Sequence, residues 1–207
     1  MNTVSRRDFV VVLTATGTGL LLGCRVGDRA GAATAAAASP PAFAPNAFIR
    51  IGSDGRVTLI MNQVEMGQGT YTSMPMLLAE ELEVGLDQVQ LEHAPPNDKL
   101  YANPFFGDQE TGGSSSVRAF YEPLRRAGAT ARTMLVAAAA QTWDVDPTSC
   151  RAKRGVVTHM PTGRTLGYGA LAEKAATLPV PDKVPLKDPK DFTLIGTPAK
   201  RLTRLTK

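Results

Sequence analysis

The chain has 207 residues, with 23 Lys and Arg against 19 Asp and Glu and a formal net charge of +4. The body holds no dense basic run, which excludes a nucleic-acid surface built on clustered charge. Only Cys24 and Cys150 are cysteines, and His93 and His159 stand far apart, so a disulfide within the body and a His/Cys metal site are both excluded.

The first segment reads as an export leader. Arg6 and Arg7 stand together in Ser5-Arg6-Arg7-Asp8, and an uncharged, mostly apolar stretch follows from Phe9 to Gly23. At about 15 residues it is short of the roughly 20 that a membrane-spanning helix needs. A charged start, a short apolar middle and the small residues of Ala30 to Ala44 describe a signal peptide. The arginine pair points to the twin-arginine route and a periplasmic address. Ala42-Phe43-Ala44 suits a signal peptidase, so residues 1–44 are expected to be leader and cleavage region. Leu21-Leu22-Gly23-Cys24 resembles a lipoprotein processing box. If it is used, Cys24 carries lipid and anchors the body to a membrane; otherwise Cys24 leaves with the leader.

The body, residues 45–178, opens with a hairpin. Phe48–Ile51 and Val57–Met61 alternate around the turn Ser53-Asp54-Gly55. After Glu65-Met66-Gly67-Gln68-Gly69-Thr70, the spacing predicts a helix over Met76–Glu83, with Pro75 near its first turn. Val89–His93 alternates and predicts a third strand. Pro95–Gly113 reads as one long polar loop, and loops of that length are usually functional. Ser114–Trp143 is the strongest helix, with Pro123 marking a kink or a later start. Arg151–Lys153 and Val156–His159 form a small hairpin about Arg154-Gly155, and Thr165–Leu178 gives a short strand and a helix. Residues 179–207 read as a Pro-rich linker and a basic tail. The expected class is α+β, a small mixed sheet packed against two main helices.

Two turns carry the candidate chemistry, because each leads into a helix whose first backbone N–H groups lack partners and carry partial positive charge. Gly67-Gln68-Gly69 sets an amide side chain between two glycines. Thr111-Gly112-Gly113-Ser114-Ser115-Ser116 adds hydroxyls to its backbone donors. Two such turns suit a polyanionic ligand gripped from two sides. Plain turn glycines and serine caps are the ordinary alternative. Glu80, Glu81 and Glu83 read as a solvated helix face. Arg125 and Arg126 read as helix-surface charges, with anion contact as the alternative. Asp108 and Glu110 are acids or bases only if the loop is a site. No Ser/His/Asp or Cys/His arrangement is readable.

Val64-Glu65-Met66-Gly67-Gln68-Gly69, the strand Val89–His93 with Ala94-Pro95 behind it, Thr111–Ser116 with Val117-Arg118, and Pro185–Phe192 with Ile195-Gly196 together resemble one family. It is the xanthine dehydrogenase and aldehyde oxidase family of molybdenum hydroxylases, in its isoquinoline 1-oxidoreductase beta-subunit type. The resemblance covers about residues 46 to 202. It implies a portion of a molybdopterin-binding domain. The implied cofactor is a molybdenum-pyranopterin, in bacteria often the cytosine dinucleotide. The implied reaction is hydroxylation of N-heteroaromatics or oxidation of aldehydes, with water as oxygen donor. A partner carrying [2Fe–2S] clusters is implied as electron acceptor. Met66, Gly67, Gln68 and Gly69, and Thr111, Gly113, Ser114, Ser115 and Ser116, are then the cofactor contacts. Family large subunits are several times longer, and their catalytic glutamate has no matching position here. No catalytic residue is assigned, and the isolated chain is expected to be inactive. A gene fragment, a split subunit completed by a second chain, a truncated product and a non-catalytic periplasmic binding module all remain open.

Overall fold

The computed structural model describes residues 42–202. The arginine pair, the apolar stretch, Cys24 and the last five residues of the tail lie outside the described residues. The described elements are strands β1 (Ala42–Asn46), β2 (Ile49–Gly52), β3 (Val57–Met61), β4 (Val89–His93), β5 (Cys150–Lys153), β6 (Val156–His159) and β7 (Thr165–Gly167), with helices α1 (Thr70–Leu82), α2 (Asp98–Tyr101), α3 (Ser116–Trp143) and α4 (Tyr168–Ala176).

Strands β1 to β4 form one sheet in that order. The β1–β2 and β2–β3 pairs are antiparallel, and β3 runs parallel to β4 through the crossover helix α1. β5, β6 and β7 form a second, antiparallel sheet. The fold is α+β, with a mixed sheet against α1 and α3, as the sequence implied. In β2 the pleat buries Ile49 and Ile51 and exposes Arg50, which pairs with Glu92 of β4. β3 is buried along its whole length, because its far face is covered as well.

One apolar core joins the layers. Ile49, Ile51, Leu59 and Leu91 come from the first sheet, and Met74, Leu78 and Leu82 from α1. Phe120, Leu124 and Leu135 of α3, Leu171 of α4 and Val157 of β6 complete it. α1 and α3 touch at Gly128, where an added Cβ would lie 2.4 Å from the Leu78 carbonyl oxygen. No side chain larger than hydrogen fits that crossing.

Several expectations are corrected. α1 starts at Thr70, six residues early, because Gly69 in the left-handed region is its N-cap. Tyr71, Met74, Leu78 and Leu82 form its buried stripe, and Pro75 lies inside the helix. α3 runs through Pro123 without a later start. The long loop contains α2. A strand not expected from the sequence, β1, precedes the hairpin and pairs Ala42 with Gly52 and Phe43 with Ile51. The segment after α4 does not stand free, since Lys187 and Thr193 bond to Glu80 of α1.

Candidate functional site

The first turn follows β3. Gly67 and Gly69 hold φ of 106° and 91°, a region closed to most side chains. The Glu65 carboxylate folds back into this turn and accepts the N–H groups of Gly67 (2.8 Å), Gly69 (2.9 Å) and Tyr71 (3.0 Å). The N–H of Gly69, then that of Tyr71, holds this carboxyl down at about 2. The α1 N-terminus is therefore met by the protein's own anion. Gln68 is likewise engaged: its Nε2 donates to the Val64 carbonyl, and its Oε1 accepts the Met66 N–H. The backbone donors of Gly67 and Gly69 face Glu65, which corrects the simple anion cradle expected there. The turn presents the Met66 side chain, 69% exposed, and the outer edge of Gln68.

The second turn differs. Gly113 and Ser114 both adopt left-handed backbone, at φ of 59° and 52°. Ser115 is buried, and its Oγ donates to the Gly112 carbonyl (2.6 Å) while accepting from Asn103 Nδ2 (2.7 Å). It is the N-cap residue of α3 yet makes no side-chain cap bond. The first N–H groups of a 28-residue helix thus lack a side-chain acceptor, beside the exposed Ser114.

Gln63 joins the two turns. It is fully buried, its Nε2 donates to the Glu110 carbonyl (2.9 Å), and its Oε1 accepts the Ser116 hydroxyl (2.8 Å). Thr111 Oγ1 accepts the Val64 N–H (3.0 Å) at the same seam. The segment just before the first turn, Gln63 and Val64, is thus bonded to the second turn and its helix. Gln63 and Glu65 were missing from the expected site. The available signal was a pair of polar residues, Asn62 and Gln63, directly continuing a nearly all-apolar strand. Beside the seam, a cleft of about 470 Å³ is lined by Asn62, Val64, Asn97, Asp98, Gln109 and Thr111. Asn62 is buried, and its Oδ1 has no protein partner.

The charged residues fall differently from expectation. Glu80 and Glu81 are 1% and 0% exposed, so they are no solvated face. Glu81 accepts Arg125 Nε (2.9 Å) and Nη2 (2.7 Å), which makes Arg125 a buried partner rather than a surface charge. Arg126 stays on the surface and pairs with Glu122 one turn away. Glu110 contributes its carbonyl, not its carboxylate.

Residues 15–203 match the sequence profile of the molybdopterin cofactor-binding domain family. This chain belongs to that family. It is 36% identical over 183 residues to the beta subunit of isoquinoline 1-oxidoreductase of Brevundimonas diminuta, covering 88% of this chain and 23% of the relative. It is 32% identical over 161 residues to one of the nicotinate dehydrogenase subunits of Pseudomonas putida, covering 75% and 13%. It is also 29% identical over 201 residues to the membrane-bound, pyrroloquinoline-quinone aldehyde dehydrogenase of Gluconacetobacter polyoxogenes, covering 93% and 25%. The chain thus spans a quarter or less of these relatives' length. The resemblance read from the two turns and the strand between them is the family found.

The residues of this molybdopterin-family chain fit a group that carries both a phosphate and hydrogen-bond donors. The uncapped start of α3 offers backbone donors to a phosphate, and the exposed Ser114 stands beside it, while the Ser115 and Ser116 hydroxyls are held by Gly112 and Gln63. The unpaired Asn62 Oδ1 in the wall of the adjoining cleft calls for a donor that protein does not supply.

Proposed function

We propose that this chain supplies the first cofactor-holding portion of a molybdenum hydroxylase large subunit, acting on N-heteroaromatics or aldehydes with water as oxygen donor. The observation that carries the reading is the seam at Gln63, which ties the segment leading into the Met66–Gly69 turn to the uncapped start of α3. In this reading the α3 N-terminus and Ser114 receive the phosphate of the group, Ser115 and Ser116 shape that turn through their bonds to Gly112 and Gln63, and Met66 and Gln68 lie along the ring system. The reading extends to the cytosine dinucleotide form of the group, as the resemblance implies. When bound, a molybdenum-pyranopterin supplies the two-electron and oxygen-transfer chemistry; this chain holds and orients it.

The same reading includes the remaining portions that the relatives carry, and a [2Fe–2S] subunit that takes the electrons. It also includes export. A group assembled in the cytoplasm requires a domain folded before translocation, which is what a twin-arginine leader serves. Lipid on Cys24 would hold the complex at the membrane, and an unmodified Cys24 would leave it periplasmic.

The test is co-expression with the neighbouring genes, followed by measurement of molybdenum and released pterin in the purified complex. Both are expected near one per chain. Stable partner complexes with neither would overturn the proposal and leave a non-catalytic binding module. Pyrroloquinoline quinone in place of pterin would also overturn it.

A further inference from the structure

The segment after α4 returns to the candidate site. It is fastened first at the middle of the molecule. Glu80 accepts Lys187 Nζ (2.7 Å) and the N–H groups of Thr193 (2.9 Å), Leu194 (2.6 Å) and Ile195 (3.0 Å). Glu81 accepts the Lys187 N–H (3.1 Å), and the Phe192 ring lies 4.9 Å from the Arg125 guanidinium. The segment then reaches the start of α1. Arg201 Nη2 donates to Glu65 Oε1 (3.0 Å) and to the Gly67 carbonyl, and the Leu202 N–H donates to Thr72 Oγ1 (3.0 Å).

We propose that Arg201 is a positioning residue for the Met66–Gly69 turn, and that residues 187–202 form the strap that brings it there. Each polar group of the Gly67 peptide neighbourhood then has an assigned partner. The Gly67 N–H is taken by Glu65 and its carbonyl by Arg201, and Arg201 also supplies the charge opposite Glu65. Glycine at a φ of 106° has wide backbone freedom, so the turn needs an external tie to keep one shape. The two ends of the strap differ in depth. Glu80 is 1% exposed, whereas the Arg201 side chain is 53% exposed. The far end is therefore the permanent anchor and the site end is the one that opens. The proposal concerns the turn itself; only its consequence for ligand retention rests on the cofactor reading above.

The experiment is amide hydrogen exchange on the full chain, comparing the parent with Arg201→Ala and Arg201→Lys. Arg201→Ala is expected to speed exchange at Gly67, Gly69 and Tyr71 at least about fivefold, the factor for losing roughly one net charged contact. Amides of α3 between Ala129 and Ala140 are expected to be unchanged. Arg201→Lys keeps the charge opposite Glu65 and is expected to fall between. Unchanged exchange at the three turn amides, or equal acceleration in α3, would overturn the proposal. Pterin content of the partner-bound complex is the second readout. Faster exchange with undiminished pterin would uphold the strap and count against the turn as a cofactor contact, so the two readings fail separately.

Discussion

The Ser116 hydroxyl donates a 2.8 Å hydrogen bond to the Oε1 of Gln63, across 53 residues of sequence and between the two turns of the site. Gln63 is fully buried, so its oxygen has no water to fall back on. Ser116→Ala removes the donor assigned to that oxygen and is expected to cost about 1–3 kcal/mol. Gln63→Leu removes the acceptor and also frees the Glu110 carbonyl, so it is expected to cost at least as much. The check is thermal unfolding, where about 1 kcal/mol shifts Tm by roughly 2–4 °C in a domain of this size. A double variant close to the worse single one is expected, since the two act through one bond.

Glu80 sets an acid limit on stability. Its burial favours the neutral form, but the Lys187 ammonium and the N–H groups of Leu194, Ile195 and Thr193 outweigh that. They hold the carboxyl at about 2 against an ordinary 4.5. A depressed carboxyl pKa stabilises the fold above the unfolded value and loses that contribution as pH falls toward the folded one. The parent is therefore expected to lose stability between pH about 4.5 and about 2. Glu80→Gln should flatten that limb while lowering stability at neutral pH. Urea unfolding across that range checks both halves. An acid limb identical to the parent's would contradict the role given to Glu80.

Gly128 is set by the distance between two helices. A Cβ there would meet the Leu78 carbonyl oxygen at 2.4 Å and the Leu82 nitrogen at 3.1 Å. These are backbone atoms of α1 and cannot swing aside. Gly128→Ala ordinarily gains helix propensity. Here it is expected to destabilise by about 1–3 kcal/mol, the cost of overpacking. Gly163→Ala, with no atom near its Cβ position but a φ of 71°, provides a comparison that reports backbone strain alone.

Much of this architecture was legible because it is periodic. The hairpin around Asp54-Gly55, the strand Val89–His93 and the long α3 follow from alternation and from apolar spacing. What escaped was long-range. Glu80-Glu81 resembles any charged helix face, and the residues that bury it stand 44 and 107 positions away, at Arg125 and Lys187. The stripe Tyr71, Met74, Leu78, Leu82 held a partial clue, because Glu81 follows Leu78 by three and so shares its face. The turns themselves were legible, and bonds from Gln63 and Val64 tie the approach of the first to the second. That Glu65 fills the first turn was hidden, because the fold of a side chain into its own loop leaves no periodic trace.

The leader reading meets a structural condition at β1. That strand pairs Ala42 with Gly52 and Phe43 with Ile51, and Asn46 Nδ2 donates to the Ala127 carbonyl. Cleavage after Ala44 would remove three of its five residues and uncover the edge of β2. If the chain is exported and cut, the mature N-terminus is therefore expected ahead of Ala42, within the alanine-rich stretch. N-terminal sequencing of the exported protein decides this. A start at Pro45 would show that the β1 pairing is dispensable.

The central claim is that the two turns joined at Gln63 hold a molybdenum-pyranopterin. Its most direct test is the molybdenum and pterin content of the partner-bound complex carrying Gln63→Leu, beside the unaltered complex. The account expects both near one per chain in the unaltered complex and severalfold lower in the variant, with partners still bound. Full molybdenum and pterin in the variant, or none in the unaltered complex, would contradict it.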